Sequence, residues 1–136
     1  MLMYLAEKFG AFLPKDLASR GECYSWLMWQ MGSAPFLGGG FGHFYAYAPI
    51  KIEYCIDRFA MEVKRQLDVL DRHLADNRYM CGDEYSIADI AIWPCMGLFI
   101  AALYTMRPSF STQSRIAIWV DGQMKSPSER RLREEG

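Results

Sequence analysis

From Ile52 the apolar residues Ile56, Phe59, Val63, Leu67, Leu70 and Leu74 recur every three or four positions, with Glu62, Lys64, Arg65, Asp68, Asp71 and Arg72 between them. That period predicts a long amphipathic helix with one buried stripe. Upstream, Leu17, Tyr24, Leu27, Met28 and Met31 share one face of a second helix, which Asp16 is placed to cap and which ends near Gly32-Ser33. Pro35 to Pro49 is dense in glycine and aromatic residues, a composition that predicts an irregular connection. Asn77 to Asp83 reads as a turn. Beyond it, Ile90, Ile92, Trp93, Met96, Leu98, Phe99, Ile100, Leu103 and Tyr104 are apolar nearly all round, as in a helix buried on every side. Almost nothing alternates with the period of a strand, so the predicted fold class is all-α.

The start of the buried helix is written in Tyr85-Ser86-Ile87-Ala88-Asp89-Ile90. Ser86 is the natural N-cap, and Asp89 stands where its carboxylate can reach back to the Ser86 N–H. Asp is the shorter-armed version of the usual Glu or Gln. Tyr85 and Ile90 occupy the positions of a hydrophobic staple. Asp89 is therefore expected to serve folding rather than chemistry.

This box, opening a greasy helix, resembles the one that starts the central helix of the glutathione transferase C-terminal domain. Met3-Tyr4-Leu5-Ala6-Glu7-Lys8-Phe9-Gly10 resembles the close of the last helix in that family's thioredoxin-like N-terminal domain, and Phe12-Leu13-Pro14 resembles its interdomain linker. Trp26-Leu27-Met28-Trp29-Gln30, Gly38 to Tyr45 and Tyr54-Cys55-Ile56-Asp57-Arg58-Phe59 follow in order. Together they are similar to bacterial glutathione transferases of the Nu class, a group of glutathione-disulfide reductases, over residues 3–94. The resemblance implies a glutathione transferase C-terminal-like helical bundle with its last helices missing or altered. It divides the chain into residues 1–10, the end of a thioredoxin-like domain; 11–104, the helical domain; and 105–136, a divergent tail.

Composition is compatible with this. A chain of 136 residues with 51% hydrophobic content is long enough for one globular core. A net charge of -1 gives no reason to invoke nucleic acid or an anionic membrane. The apolar run from Ile90 to Tyr104 is shorter than the roughly 20 residues a membrane span needs, and the N-terminal apolar stretch is interrupted by Glu7 and Lys8, unlike a signal peptide. Cys23, Cys55, Cys81 and Cys95 contain no C-x-x-C pair, so the spacing indicates neither zinc nor a thioredoxin-type redox centre, and they read as reduced cytoplasmic thiols in or near the core. His43 and His73 are too few for a metal cluster, and His73 is expected on a charged helical face.

The candidate binding residues come from the resemblance. In that family glutathione is held mainly by the N-terminal domain, and the helical domain adds a basic residue at the position of Arg58. A guanidinium suits this role because its planar fork grips a carboxylate bidentately; the alternative is a solvated arginine paired with Glu62 one turn on. Ser25 occupies a place where a relative uses Gln to contact glutathione, and serine is shorter. Phe41, His43, Phe44, Tyr45 and Tyr47 either wall an apolar or second glutathione site, with Tyr45 as the binding candidate, or anchor their own loop in the core. The implied co-substrate is glutathione or glutathione disulfide, and the implied partners are a thioredoxin-like domain and a second copy in a homodimer.

Beyond Tyr104 the apolar period stops. Permitted codons for Tyr104 to Ser111, read from the third base, spell Tyr-Asn-Ala-Ala-Glu-Phe-Leu, and the same offset over Trp119 to Ser128 gives Gly-Arg-Trp-Ala-Asp-Glu-Val-Ala-Glu, both family patterns. Residues 1–104 carry nine basic and twelve acidic side chains and the tail six and four, so the charge balance reverses there. The tail is thus expected to be an out-of-frame, poorly ordered segment. Two functions follow: the helical half of a glutathione-dependent thiol transferase or disulfide reductase, or a non-catalytic helical module or remnant, the latter favoured if no thioredoxin-like domain is supplied.

Overall fold

The computed structural model describes residues 1–97 together with Ile116 and Trp119. Among residues 1–97, four α-helices run in chain order: α1 Leu2–Phe9, α2 Leu17–Ala34, α3 Glu53–Asp76 and α4 Ile87–Ile92. A π-helix, Pro35–Tyr47, continues directly from α2, and a second short one, Trp93–Gly97, continues α4. Among the described residues the only β-pairings are two isolated bridges, Tyr79 with Gly82 and Cys81 with Glu84, within the turn expected between α3 and α4.

α3 follows its sequence pattern. Val63, Leu70 and Leu74 are buried and Leu67 packs against them, while Gln66 joins the inner face at 1% exposure. α2 is rotated from the expected orientation. Its buried residues are Cys23, Leu27, Gln30 and Ser33, whereas Leu17, Met28 and Met31 are exposed. The inward stripe at positions 23, 27 and 30 has helical spacing, but two of its three residues are not large hydrophobes, so apolarity alone selected the neighbouring stripe. His73 also departs from expectation. It turns inward, its ring 4.3 Å from that of Trp26, with Nε2 3.0 Å from the Met80 carbonyl oxygen.

The expected irregular connection is a wide helix instead. Its last turn shows the wider closure, with the Ala48 N–H donating five residues back to the His43 carbonyl at 2.7 Å. It packs on α3, and Gly40 makes that approach possible: a Cβ there would lie 2.3 Å from Phe59 Cδ1. Phe44 stacks on Phe59 with centroids 5.5 Å apart, and Phe36 meets the same ring at 6.1 Å. Tertiary contact with α3 thus orders a segment whose glycines give it little local preference.

The core gathers Ala6 from α1, Cys23 and Leu27 from α2, Leu37 from the π-helix, the α3 stripe, and Met80, Ile87, Ala88, Ile92 and Met96. Ile116 and Trp119 are buried in it too, and the Ile116 N–H donates to Asp71 Oδ1 at 3.2 Å. The remainder of the predicted out-of-frame, disordered tail lies outside the described residues. α4 is the centre of the bundle, although Pro94 just beyond it is exposed. No helix among the described residues is long and apolar enough to cross a membrane.

Candidate functional site

The α4 start is built as the sequence implies. Asp89, fully buried, accepts from the Ser86 N–H and from the Ser86 hydroxyl through Oδ2, each at 3.0 Å. Its other oxygen accepts the Met80 N–H at 3.0 Å, which ties the preceding turn to the helix. The Ala88 N–H donates to Ser86 Oγ at 3.3 Å, and the Ile87 N–H to the Phe12 carbonyl at 2.9 Å. The helix's first donors are thereby satisfied inside the protein. Burial pushes the Asp89 carboxyl above the usual carboxylate range, and the Met80 and Ser86 donors oppose that shift. Tyr85 sets its ring against Phe12 at 6.1 Å and Tyr79 at 5.5 Å.

Arg58 lies on the exposed side of α3, next to Phe59. Its expected competitor is occupied: Glu62 pairs with Arg65, Oε1 to Nη2 at 2.6 Å, and also accepts from Gln66 Nε2 at 3.1 Å. The Arg65 and Gln66 donors hold the Glu62 carboxyl down to about 2. Arg58 makes no ion pair among the described residues, which leaves its donor fork available to a ligand. Phe59, the next residue along α3, carries the ring on which Phe44 of the π-helix stacks.

Tyr45 stands on that wall, exposed, its ring stacked on Phe41 at 5.2 Å and 14°. Lys51 Nζ donates to the Tyr45 carbonyl at 2.6 Å and fixes the end of the π-helix. The aromatics therefore divide the two expected roles: Leu37 and Phe44 anchor the segment, while Tyr45 and Tyr47 face outward. Ser25 is exposed on α2, but its hydroxyl donates to the Gly21 carbonyl one turn back at 2.9 Å. That bond engages its only hydrogen and leaves lone pairs for a ligand donor.

One constellation has no linear counterpart. Cys23 of α2 stands near Cys81 of the turn before α4, and Ser86 Oγ, whose one hydrogen goes to Asp89, lies 3.2 Å from Cys81 Sγ. Contact with the Cys81 thiol, helped by the Ser86 hydroxyl and the Ala88 N–H, lowers the Cys23 thiol to about 6 against the effect of its burial. Cys81 is correspondingly raised, chiefly by the Cys23 sulfur beside it. Cys23 is fully buried, whereas Cys81 lines an open cavity of about 580 Å³ together with Phe12, Lys15, Asp16, Glu84 and Tyr85. Spacing along the chain gave no sign of this pair; only the packing of α2 on the α4 start creates it.

Residues 53–121 match the family described as "Glutathione S-transferase, C-terminal domain". The chain is 67% identical over 97 residues to the Escherichia coli disulfide-bond oxidoreductase YghU, covering 71% of this chain and 34% of that protein. An uncharacterised GST-like protein of Streptococcus mutans is 49% identical over 138 residues, covering 98% and 52%. Among solved structures, glutathione transferase YghU from Streptococcus pneumoniae, complexed with glutathione, superposes with a TM-score of 0.78 at 47% identity over 96% of this chain and 51% of that one. A Pseudomonas putida glutathione transferase with one glutathione disulfide per subunit gives 0.80 at 34% identity, covering 96% and 57%. The chain spans between about a third and a half of the curated relatives named here. Its helical architecture, its capped central helix and these matches make it a member of the glutathione S-transferase family, Nu-class-like, through the C-terminal helical domain.

Proposed function

We propose that this chain supplies the helical side of a glutathione site in a protein that carries out glutathione-dependent thiol transfer or disulfide reduction, and that Arg58 grips a carboxylate of glutathione. The observation that carries this reading is the division of charges on α3: Glu62 is committed to Arg65 and Gln66, and the exposed Arg58 makes no ion pair among the described residues. The names of the relatives support the reaction class, since they include a disulfide-bond oxidoreductase and proteins holding glutathione or its disulfide. Tyr45 borders the site, and Ser25 contributes at most an acceptor.

The rest of the site belongs to a thioredoxin-like domain, with residues 1–10 as the end of that domain, and the assembled protein works as a cytoplasmic homodimer. The helical chain by itself binds glutathione weakly and has no turnover. The test is retention on glutathione-agarose and a glutathione-disulfide reductase assay, on the chain alone and with a thioredoxin-like domain supplied. Arg58→Ala is expected to weaken binding by about 10- to 100-fold, the equivalent of one charge-assisted bond of ~1.5–3 kcal/mol. Lys64→Ala on the same helix leaves binding unchanged. Equal retention of wild type and Arg58→Ala refutes the assignment of Arg58, and turnover by the chain alone refutes the need for a second domain.

A further inference from the structure

Resting on the assignment of Arg58 to a glutathione carboxylate, we infer that Arg65 is a positioning residue for that site: by clamping Glu62 it keeps Arg58 from being captured by its own helix. On an α-helix a carboxylate can reach a cation one turn ahead of it or one turn behind. Glu62 has both, with Arg58 four positions before it and Arg65 three positions after, so two arginines compete for one acid. The outcome decides whether the guanidinium at position 58 meets a ligand free or already engaged.

The geometry decides the competition for Arg65. Its fork meets the carboxylate with an N–H on each oxygen, Nη2 to Oε1 at 2.6 Å and Nε to Oε2 at 3.1 Å. Gln66 adds Nε2 to Oε1 at 3.1 Å from the inner face of α3, where it is itself 1% exposed. All three donors belong to residues on the C-terminal side of Glu62, so the carboxylate is drawn away from Arg58. The order of charges favours the same outcome. An acid placed before its base along a helix complements the helix dipole, and a base placed before its acid opposes it. The Glu62 side chain is 16% exposed against 57% for Arg65, so the acidic end of the clamp is the shielded one. Arg58 is still near enough to feel the acid, its charge being among the influences that lower the Glu62 carboxyl. It is therefore placed to take over the pair once Arg65 is gone. Arg65 needs no contact with the ligand: its contribution is to remove an internal competitor. A helical ion pair of that kind is weak, which sets the effect on affinity at about twofold.

The test uses the full, isotope-labelled chain and reads two quantities by nuclear magnetic resonance. One is the Arg58 Nε–H signal, identified by its loss in Arg58→Ala; the other is the affinity for glutathione, from the shifts of α3 amides on titration. Arg65→Ala is expected to move the Arg58 signal to that of an ion-paired guanidinium and to weaken glutathione binding about twofold. Adding Glu62→Gln to Arg65→Ala returns both to wild type, a rescue that a merely structural role of Arg65 would not produce. Glu62→Gln alone leaves the Arg58 signal in place, because the two side chains are not paired to begin with. Lys64→Ala removes the same charge one position away and changes neither quantity. The inference is overturned by an Arg58 signal that ignores Arg65→Ala, by a double variant that stays weak, or by Lys64→Ala weakening binding as much as Arg65→Ala. A large move of the Arg58 signal in Glu62→Gln alone overturns it too, and that measurement does not depend on the folding of any Arg65 variant. If Arg58→Ala binds glutathione as wild type does, the ligand assignment falls, while the response of the Arg58 signal to Arg65→Ala still judges the clamp.

Discussion

Asp89→Ala removes the acceptor for three donors at once: the Met80 N–H, the Ser86 N–H and the Ser86 hydroxyl. The hydroxyl has a second acceptor in Cys81 Sγ, so it is not orphaned. The two backbone N–H groups are, and Met80 and Ser86 are at most 1% exposed, beyond the reach of bulk water. An unsatisfied buried donor costs ~1–3 kcal/mol, which puts the gross loss at about 2–6 kcal/mol. Against it stands relief from holding a desolvated carboxylate, the same burial that raises the Asp89 ionisation. The expected net loss is about 2–4 kcal/mol, a large part of the ~5–15 kcal/mol that holds a domain of this size. Urea unfolding followed by far-ultraviolet circular dichroism measures it, with Asp89→Asn expected to lose less because one amide oxygen still accepts. Ser86→Ala combined with Asp89→Ala should cost less than the sum of the two, since they remove shared bonds. A loss below ~1 kcal/mol for Asp89→Ala, at unchanged denaturant slope, would refute the reasoning.

Gly40→Ala drives a methyl into the Phe59 ring, which is held by Phe44 and Phe36, and is expected to destabilise by ~1–3 kcal/mol in the same unfolding assay; wild-type stability would mean that the π-helix does not press on α3. Glu62 has its folded ionisation held down to about 2, below its ordinary 4.5, so its contribution is complete above pH 4.5 and is lost as pH falls toward 2. Glu62→Gln should therefore flatten the decline of stability between pH 4.5 and 2, and parallel profiles for wild type and variant would contradict the pairing with Arg65.

What could be read from the sequence was local or periodic. Ser86 and Asp89 are three residues apart, and their mutual bonds need no distant partner. The α3 stripe is long enough that its period identifies the buried face. The apolar face of α2 is not its buried face: Met28 and Met31 are apolar yet outside, while Gln30 and Ser33 are inside. The glycine run looked irregular because its order comes from Phe59, on another helix. The thiol pair was invisible for the same reason: Cys23 and Cys81 meet only through the packing of α2 on α4. The Arg58 position came from likeness to relatives, and its freedom became visible once Glu62 was seen paired with Arg65.

Phe12 is the one non-glycine residue among those described with a positive φ, 58°, and its carbonyl receives the Ile87 N–H. Such a conformation persists only where its surroundings hold it, and here the Ile87 bond and the Tyr85 ring do so, which makes the segment leaving α1 a bracket and not a hinge. The direction of α1 is therefore set by the first turn of α4, and a fault in that turn would be felt at the far side of the bracket, in α1.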